Sequence, residues 1–178
     1  MQKGFYLDVQ RCIGCHSCEV ACRAYNSLPP RTLGTSGPRW RQVVTLQNGT
    51  FPNVTISNVS LSCMHCGKPA CEAVCPTGAI SKRADDGIVV VDPTKCIGCR
   101  YCFFACPFGV PQYGEDGMMQ KCNFCLDRTE QGLLPACVAA CPADALHAGT
   151  LEELSQLASG RAAERLASST QPSFLMTP

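Results

Sequence analysis

Cysteine supplies sixteen of the 178 residues, and these thiols are the side chains best suited to chemistry. They fall into four sets along the chain: the first is Cys12, Cys15, Cys18 and Cys22, the second Cys63, Cys66, Cys71 and Cys75, the third Cys96, Cys99, Cys102 and Cys106, and the fourth Cys122, Cys125, Cys137 and Cys141. The first and third sets read C-x2-C-x2-C-x3-C, a spacing that binds [4Fe–4S] clusters through thiolates. Because one cluster takes four thiolates, we predict four [4Fe–4S] clusters with all sixteen cysteines as iron ligands.

Ligand crossing between sets is expected from the same spacing. A C-x2-C-x2-C loop can wrap three corners of a cluster, but it cannot also reach the fourth corner. The last cysteine of a set should lie on a short helix that points away, toward a neighbouring cluster. Pro76, Pro107 and Pro142 each follow such a cysteine and should stop the helix there.

Two other uses of cysteine compete with this interpretation. A secreted disulfide scaffold has a similar cysteine content of about 9%, but no charged-then-apolar signal segment opens the chain. Structural zinc favours two separated pairs, and the fourth set alone would pass as such a site. Cys18 and Cys102 each add a third closely spaced cysteine to a C-x2-C pair. A zinc pair has no use for this third cysteine, whereas a [4Fe–4S] cluster does, so it favours iron–sulfur chemistry.

No catalytic residues are expected. The chain shows no Gly-rich phosphate loop, nucleophile–base pair or paired carboxylates. An iron–sulfur enzyme would need an open coordination site, and sixteen cysteines for sixteen cluster corners leave none. We expect His16, His65 and His147 to form hydrogen bonds or lie at the surface rather than bind iron.

The formal net charge of +1 does not describe the loaded protein. Each oxidised cluster with its thiolates carries a charge of about −2, so four clusters would bring the net charge to roughly −7. That charge argues against nucleic-acid binding. The basic residues close to cysteines in sequence would offset cluster charge or act as ordinary surface charges; they are Arg11, Arg23, Arg100, Lys121 and Arg128.

The location of the protein is expected to be cytoplasmic. No apolar run approaches 18 residues, so no direct membrane span is predicted. No signal segment or twin-arginine leader is recognised, and dense cysteine in a reducing compartment indicates metal binding. The alternative is a periplasmic location, reached by export together with a partner that bears a leader.

Four short strands and a terminal helix complete the predicted elements. The strands are Gly4–Asp8, Val43–Gln47, Val54–Ser60 and Ile88–Asp92. Thr150 and Glu153 form a capping box that opens a helix with Leu151, Leu154, Leu157 and Ala158 on one face. That face would pack on the protein's own core or dock a partner, and the tail 168–178 would either fray or clamp a partner.

Several motifs of the chain resemble one family. They are Arg11-Cys-Ile-Gly-Cys15, Cys63-Met-His-Cys66, Ala70-Cys-Glu-Ala-Val-Cys-Pro76, Cys96-Ile-Gly-Cys-Arg-Tyr-Cys-Phe-Phe-Ala-Cys-Pro107, Pro111-Gln-Tyr113 and Lys121-Cys-Asn-Phe-Cys125. Over residues 4–157 the chain resembles the electron-transfer (beta) subunits of molybdenum and tungsten bis-pterin oxidoreductases of the dimethyl sulfoxide reductase, polysulfide reductase and formate dehydrogenase type. Small four-cluster subunits of tungsten aldehyde oxidoreductases are similar.

The resemblance implies an α+β fold of two ferredoxin-like lobes, each holding two clusters. Residues 1–27 and 108–149 would form one lobe and residues 54–107 the other, with 28–53 as a partly looped insertion and 150–178 as a C-terminal helix and tail. The implied ligand exchange gives Cys12, Cys15 and Cys18 with Cys141; Cys122, Cys125 and Cys137 with Cys22; Cys63, Cys66 and Cys71 with Cys106; and Cys96, Cys99 and Cys102 with Cys75. Arg23 stands where a proline is expected after Cys22. The residue at which the helix that carries Cys22 ends is therefore not predicted.

The implied function is relay of single electrons through four [4Fe–4S] clusters, between a molybdenum- or tungsten-pterin catalytic subunit and a further redox subunit or carrier. The chain itself would be non-catalytic. The alternative is a free-standing soluble polyferredoxin, and self-association is also left open. In either case the clusters replace much of a conventional core, so the apo-protein should not fold stably.

Overall fold

A computed structural model describes residues 1–29, 37–161, 163–166 and 168–177. The strands are β1 (Lys3–Asp8), β2 (Arg41–Thr50), β3 (Asn53–Ser62), β4 (Ile80–Lys82), β5 (Val89–Val91), β6 (Gln112–Tyr113), β7 (Met119–Gln120), β8 (Leu146–Thr150), β9 (Glu164–Arg165) and β10 (Phe174–Thr177). The helices are α1 (Ser17–Tyr25), α2 (Ala70–Ala73), α3 (Tyr101–Ala105), α4 (Leu126–Thr129), α5 (Ala136–Ala139) and α6 (Leu151–Leu157). The α+β class predicted from the sequence is confirmed.

A four-stranded sheet in the order β8-β1-β10-β9 contains both ends of the chain. Strand β1 pairs antiparallel with β8 and parallel with β10. Alternate side chains of a strand point to opposite faces, so Phe5 and Leu7 face the core that contains the cysteines, whereas Tyr6 packs with Leu154 of α6 and with Ala158, which directly follows α6. Both faces of β1 are therefore covered, and these three β1 residues are fully buried.

The end of the tail completes this sheet. Residues Phe174–Thr177 form β10, in register from Phe5↔Phe174 to Asp8↔Thr177. Ser173 is buried and donates hydrogen bonds from its backbone N–H to the Met64 carbonyl (2.8 Å) and from its hydroxyl to the His65 carbonyl (2.9 Å). The expectation that this end frays is wrong for 174–177, because the strand pairs inside the sheet. Residue 178 of the tail lies outside the described residues.

A long antiparallel hairpin stands between the first two cysteine sets. Strands β2 and β3 pair from Arg41↔Ser62 to Thr50↔Asn53, which confirms both predicted strands and extends each of them. The base of the hairpin is buried, and its tip at Phe51 is 92% exposed. The part of the expected insertion that is described after residue 40 is thus strand rather than loop, whereas residues 30–36 of it lie outside the described residues.

A second, smaller core lies around β4, β5 and the third cysteine set. Strand β5 confirms the prediction for Ile88–Asp92 and pairs antiparallel with β4. Ile80, Val89, Cys102 and Met119 are the buried members of this core. The division into two lobes and the boundaries of those lobes stay a prediction.

Three of the short helices end earlier than the sequence predicted, before the fourth cysteine of the set. Only in the first set does a helix carry the fourth cysteine, since α1 continues through Cys22 to Tyr25. Helix α3 ends at Ala105 and leaves Cys106 extended (φ −83°, ψ 113°), and Cys75 and Cys141 likewise follow the ends of α2 and α5. The helical conformation is disfavoured for a residue that precedes proline, and Cys75, Cys106 and Cys141 each precede one. Cys22 precedes Arg23 instead, so α1 can continue past it.

Helix α6 begins with the predicted capping box. The Thr150 side chain accepts a hydrogen bond from the Glu153 backbone N–H, and the Glu153 carboxylate accepts one from the Thr150 backbone N–H. Leu154 and Ala158 are buried against Tyr6, as the alternative of packing on the protein's own core predicted. Leu157 of the same predicted face is 49% exposed. In the part of the chain that the structure describes, no helix combines the length and apolar character needed to cross a bilayer.

Candidate iron–sulfur centres

A cavity beside α1 is lined by four cysteines from two distant sets. Cys12, Cys15 and Cys18 come from the first set, and Cys141 comes from the fourth. The other lining residues are mostly apolar: they include Leu7, Val43, Ala143, Ala145 and Leu146. The structure therefore brings together thiols that lie more than a hundred residues apart in the sequence.

A second cavity repeats this arrangement in the smaller core. Its cysteines are Cys96, Cys99 and Cys102 of the third set with Cys75 of the second. Ile80, Ile97, Tyr113 and Met119 are among the residues that close it. In both cavities, the first three cysteines of one set lie together with the last cysteine of another set.

The two loops share an unusual backbone conformation. Gly14 and Gly98 have φ values of +67° and +66°, in the left-handed region that glycine adopts without steric cost. His16 and Arg100, which each follow the second cysteine, have φ values of 61° and 65°. Alternation of left-handed residues curls a loop on itself and turns successive N–H groups to one side, so the same sequence pattern builds the same cradle twice.

Cysteines of the fourth set lie near Cys22 and are deeply buried. Burial, and after it the negative charge of Cys137, raises the pKa of Cys22 to about 12. Burial also raises the pKa of Cys122, with smaller contributions from Cys137, Cys63 and Cys22. Cys63 belongs to the same buried cluster as Cys22 and Cys122, so the second set lies beside the fourth.

The remaining cysteines of the second set lie close to Cys106. The pKa of Cys71 is raised to about 12, mainly by burial and in smaller part by the charges of Cys63, Cys106 and Cys66. Burial is likewise the main cause that raises the pKa of Cys66, with Cys63 and Cys106 contributing. A buried thiolate is unfavourable without a compensating cation, and iron supplies such a charge.

The chemistry of the donors fits iron–sulfur clusters. Soft thiolates select iron–sulfur clusters, zinc or copper(I) rather than hard cations, and no carboxylate lines either four-cysteine cavity. Across 1–29, 37–161, 163–166 and 168–177, no three or more His, Cys, Asp or Glu side chains are grouped so as to hold a single metal ion.

Comparison with known proteins decides the family. A family described as a 4Fe-4S dicluster domain matches residues 54–151, and a second family of the same description matches residues 8–80. The chain thus belongs to the 4Fe-4S dicluster family. Two dicluster domains give four [4Fe–4S] clusters, as the sixteen cysteines predicted.

Relatives of this dicluster protein are electron-transfer subunits of larger enzymes. It is 48% identical to the B subunit of the anaerobic dimethyl sulfoxide reductase of Escherichia coli (strain K12) over 160 residues, which cover 86% of this chain and 76% of the relative. It is 39% identical to the formate dehydrogenase iron-sulfur subunit of Wolinella succinogenes over 184 residues (90% and 88%). It is 45% identical to the thiosulfate reductase electron transfer subunit PhsB of Salmonella typhi over 148 residues (82% and 74%). The resemblance to electron-transfer subunits of bis-pterin oxidoreductases is confirmed.

The histidines and basic residues of the dicluster protein have different surroundings. His65 is fully buried, and its Nδ1 atom accepts a hydrogen bond from the Val89 backbone N–H at 3.1 Å. His16 is exposed beside Glu19, and the His147 ring stacks on Tyr6. Lys121 is buried and donates to backbone carbonyls.

The other predicted basic residues lie nearer the surface. Arg11 pairs with Asp144 at 3.1 Å, where both side chains are largely exposed. Arg100 and Arg128 lie over the rings of Tyr113 and Tyr25 respectively. Arg23 donates a hydrogen bond to a nearby backbone carbonyl.

Sequence reasoning missed two residues that the dicluster protein places beside its cysteines. Arg41 is 1% exposed at the base of the hairpin, and Ser60 lies on the paired strand with its hydroxyl oxygen 3.3 Å from the sulfur of Cys18. An arginine that opens a strand is ordinarily read as a surface residue. The only sequence signal was the strand pattern of Val54–Ser60, which placed Ser60 on a half-buried strand.

Proposed function

We propose that this chain relays single electrons between a molybdenum- or tungsten-pterin catalytic subunit and a further redox subunit or carrier. The relatives that are named for dimethyl sulfoxide reductase, formate dehydrogenase and thiosulfate reductase support a partner of this kind. The chain supplies binding, spacing and electrostatic environment for the clusters, and it has no catalytic site of its own. The clusters supply one-electron redox chemistry when they are bound.

We further propose four ligand quartets made by exchange between sets. They are Cys12, Cys15 and Cys18 with Cys141; Cys122, Cys125 and Cys137 with Cys22; Cys63, Cys66 and Cys71 with Cys106; and Cys96, Cys99 and Cys102 with Cys75. We name these the first, fourth, second and third centres after the set that supplies three ligands. The observation that carries this proposal is the lining of the two cavities by the quartets of the first and third centres.

The order of the centres is proposed to run first, fourth, second, third. Helix α1, which carries Cys18 and Cys22, contacts α5, which carries Cys137, and this contact supports adjacent first and fourth centres. Cys63 lies in the same core as Cys22 and Cys122, which supports the second centre beside the fourth.

Cys71 and Cys96 both pack against the smaller core, which supports the third centre beside the second. This order puts the fourth centre, whose four cysteines are all buried, in the interior of the relay, and it puts the centres that contain the exposed Cys15 and Cys99 at its two ends.

Exposed residues support entry and exit at the two outer centres. Cys15 of the first centre and Cys99 of the third are exposed. Ile13 is exposed beside Cys15, whereas Ile97 and Phe104 are exposed beside Cys99, the last at 82%. Apolar side chains around an outer centre suit a surface that partners cover, so we assign partner contacts to both regions. The cytoplasmic location stays a prediction.

Ligand exchange is tested by comparing cysteine substitutions within and between quartets. Cys141→Ser should perturb the same electron paramagnetic resonance (EPR) signal as Cys18→Ser, because both residues belong to the first centre. Cys22→Ser is the matched control, since it lies in the same set as Cys18 but should perturb the signal of the fourth centre. The proposed exchange is wrong if Cys22→Ser and Cys18→Ser alter the same centre.

The partner is tested by native purification under anaerobic conditions. We expect about sixteen irons per molecule, a co-purifying catalytic subunit, and molybdenum or tungsten in stoichiometric amount. A fully loaded protein that purifies alone as a stable monomer, with neither metal, would instead favour the free-standing carrier.

A further inference from the structure

Arg41 is a buried cation at the base of the hairpin. Its guanidinium donates one hydrogen bond to the Ser60 hydroxyl oxygen at 2.9 Å and another to the Ser62 hydroxyl oxygen at 2.8 Å. It also lies over the Phe5 ring, 4.6 Å from the centroid. Among the residues that the structure describes, no carboxylate forms an ion pair with it, and its Nε atom has no hydrogen-bond partner.

A buried charge of this kind needs a compensating anion. Removing a cation from water without a partner is strongly unfavourable, and neither serines nor an aromatic ring carries a negative charge. Although burial lowers the pKa of Arg41, neighbouring thiolates raise it above its ordinary value. Those thiolates are Cys137, Cys122, Cys18 and Cys22. All four belong to the proposed first and fourth centres, and Arg41 lines one small pocket together with Cys22, so we take the charge held at these centres as its compensating anion.

Ser60 connects Arg41 to one of these cysteines directly. Its hydroxyl oxygen accepts the hydrogen bond from Arg41 and lies 3.3 Å from the Cys18 sulfur. A hydroxyl group has one proton to donate, and a cysteine that ligates iron is a thiolate without a proton. The direction of the contacts is therefore set: Arg41 donates to Ser60, and Ser60 donates to Cys18.

We propose that Arg41 and Ser60 form a charge-assisted hydrogen-bond relay that raises the reduction potential of the first centre. Reduction adds one negative charge to a centre, so a fixed cation and a donor to a ligand sulfur stabilise the reduced form more than the oxidised form. The hairpin thus tunes an outer centre of the relay. This inference rests on the ligand quartet proposed above for that centre.

The test is an EPR-monitored redox titration of the full-length protein, purified anaerobically with its clusters. Ser60→Ala removes the donor to Cys18, and we expect the ratio of reduced to oxidised first centre to fall about tenfold at a fixed ambient potential. For a one-electron couple that change equals about 59 mV. Ser62→Ala is the matched control, because Ser62 also accepts a hydrogen bond from Arg41 but makes no hydrogen bond to a cysteine.

A second pair of variants separates the hydroxyl from packing. Threonine and valine have nearly the same volume, so Ser60→Thr should keep the wild-type potential, whereas Ser60→Val should lower it as Ser60→Ala does. If the Ser60→Ala variant binds too little iron for a redox titration, the comparison of Ser60→Thr with Ser60→Val still tests the proposal. The relay is overturned if Ser60→Val and Ser60→Thr have equal potentials, or if Ser62→Ala shifts the first centre as much as Ser60→Ala.

Iron content keeps the two proposals distinguishable. A wild-type protein with far fewer than about sixteen irons would count against the proposed clusters and their ligands. A full complement of iron with unchanged potentials in the Ser60 variants would count against the relay alone.

Discussion

The hydroxyl group of Tyr113 lies 3.3 Å from the sulfur of Cys102. Burial, and then this contact, raises the pKa of Tyr113, so the phenol keeps its proton at neutral pH. If Cys102 ligates iron as proposed, its thiolate carries no proton and Tyr113 is the donor. The proposed third centre would then receive a hydrogen bond from a side chain on β6, outside the segment 96–102 that supplies three of its cysteines.

Tyr113→Phe should lower the reduction potential of the third centre. The substitution removes the donor and keeps the aromatic ring over which Arg100 lies. A hydrogen bond to a charged group is worth about 1.5–3 kcal/mol, and only the part that strengthens on reduction shifts the potential, so we expect a fall of up to about tenfold in the reduced-to-oxidised ratio of that centre. A redox titration followed by EPR measures the change. Tyr101→Phe, at an exposed position of α3, is the control, and equal effects of both variants would contradict the assignment.

Gly98→Ala should reduce iron binding at the third centre. Gly98 has φ +66°, and an added Cβ would lie 2.8 Å from the Gly117 carbonyl oxygen, which is backbone and cannot rotate away. Left-handed strain alone costs about 1–2 kcal/mol. The control is Gly78→Ala, with φ +64° and no atom within 4 Å of its added Cβ. Metal analysis should show a loss of iron in Gly98→Ala that clearly exceeds any loss in Gly78→Ala. Similar losses in the two variants would mean that the left-handed backbone conformation, rather than the contact with Gly117, causes the loss.

Removal of the clusters should destroy the main core. Its buried members include Cys18, Cys22, Cys63, Cys122 and Cys137, and metal binding that builds a core supplies folding free energy. Trp40, the only tryptophan, packs against this core and reports on it. After oxidative loss of iron we expect a red shift of its fluorescence and loss of cooperative thermal unfolding. Retention of a cooperative transition without iron would refute this prediction.

Thr150→Ala should loosen the start of α6. The change removes the acceptor for the Glu153 backbone N–H, and loss of such a cap costs about 1 kcal/mol. Hydrogen exchange of the Glu153 amide should therefore become roughly fivefold faster. Ser155→Ala, on the same helix, should leave that amide almost unchanged. An unaltered exchange rate in Thr150→Ala would mean that packing of Leu154, rather than the cap, holds the first turn.

Local sequence patterns predicted those structural features that depend only on residues close together in the sequence. The strands around Gly4–Asp8 and Val54–Ser60 were predicted because apolar and β-branched residues have a strand period there. The cap at Thr150 was predicted because its two hydrogen bonds span three residues. The ends of the helices before Cys75, Cys106 and Cys141 were placed too late, although the prolines that follow them carried the signal.

Long-range partners were beyond such patterns. Arg41 reads as a surface charge in the sequence, and it is buried only because β3 brings Ser60 and Ser62 alongside it. The tail had no local signal that it would complete the sheet, since Thr177 pairs with Asp8 from the other end of the chain.

The amino-acid sequence by itself determined the chemistry of this protein, its four clusters and its family, because a cluster-binding loop is encoded by cysteines only two or three residues apart. The tertiary structure alone decided where a fixed charge and the hydroxyl donors stand relative to those cysteines. Burial and electrostatic potential at a point depend on every segment that packs around it, and segments such as β2 and β10 reach their places through pairing with distant strands.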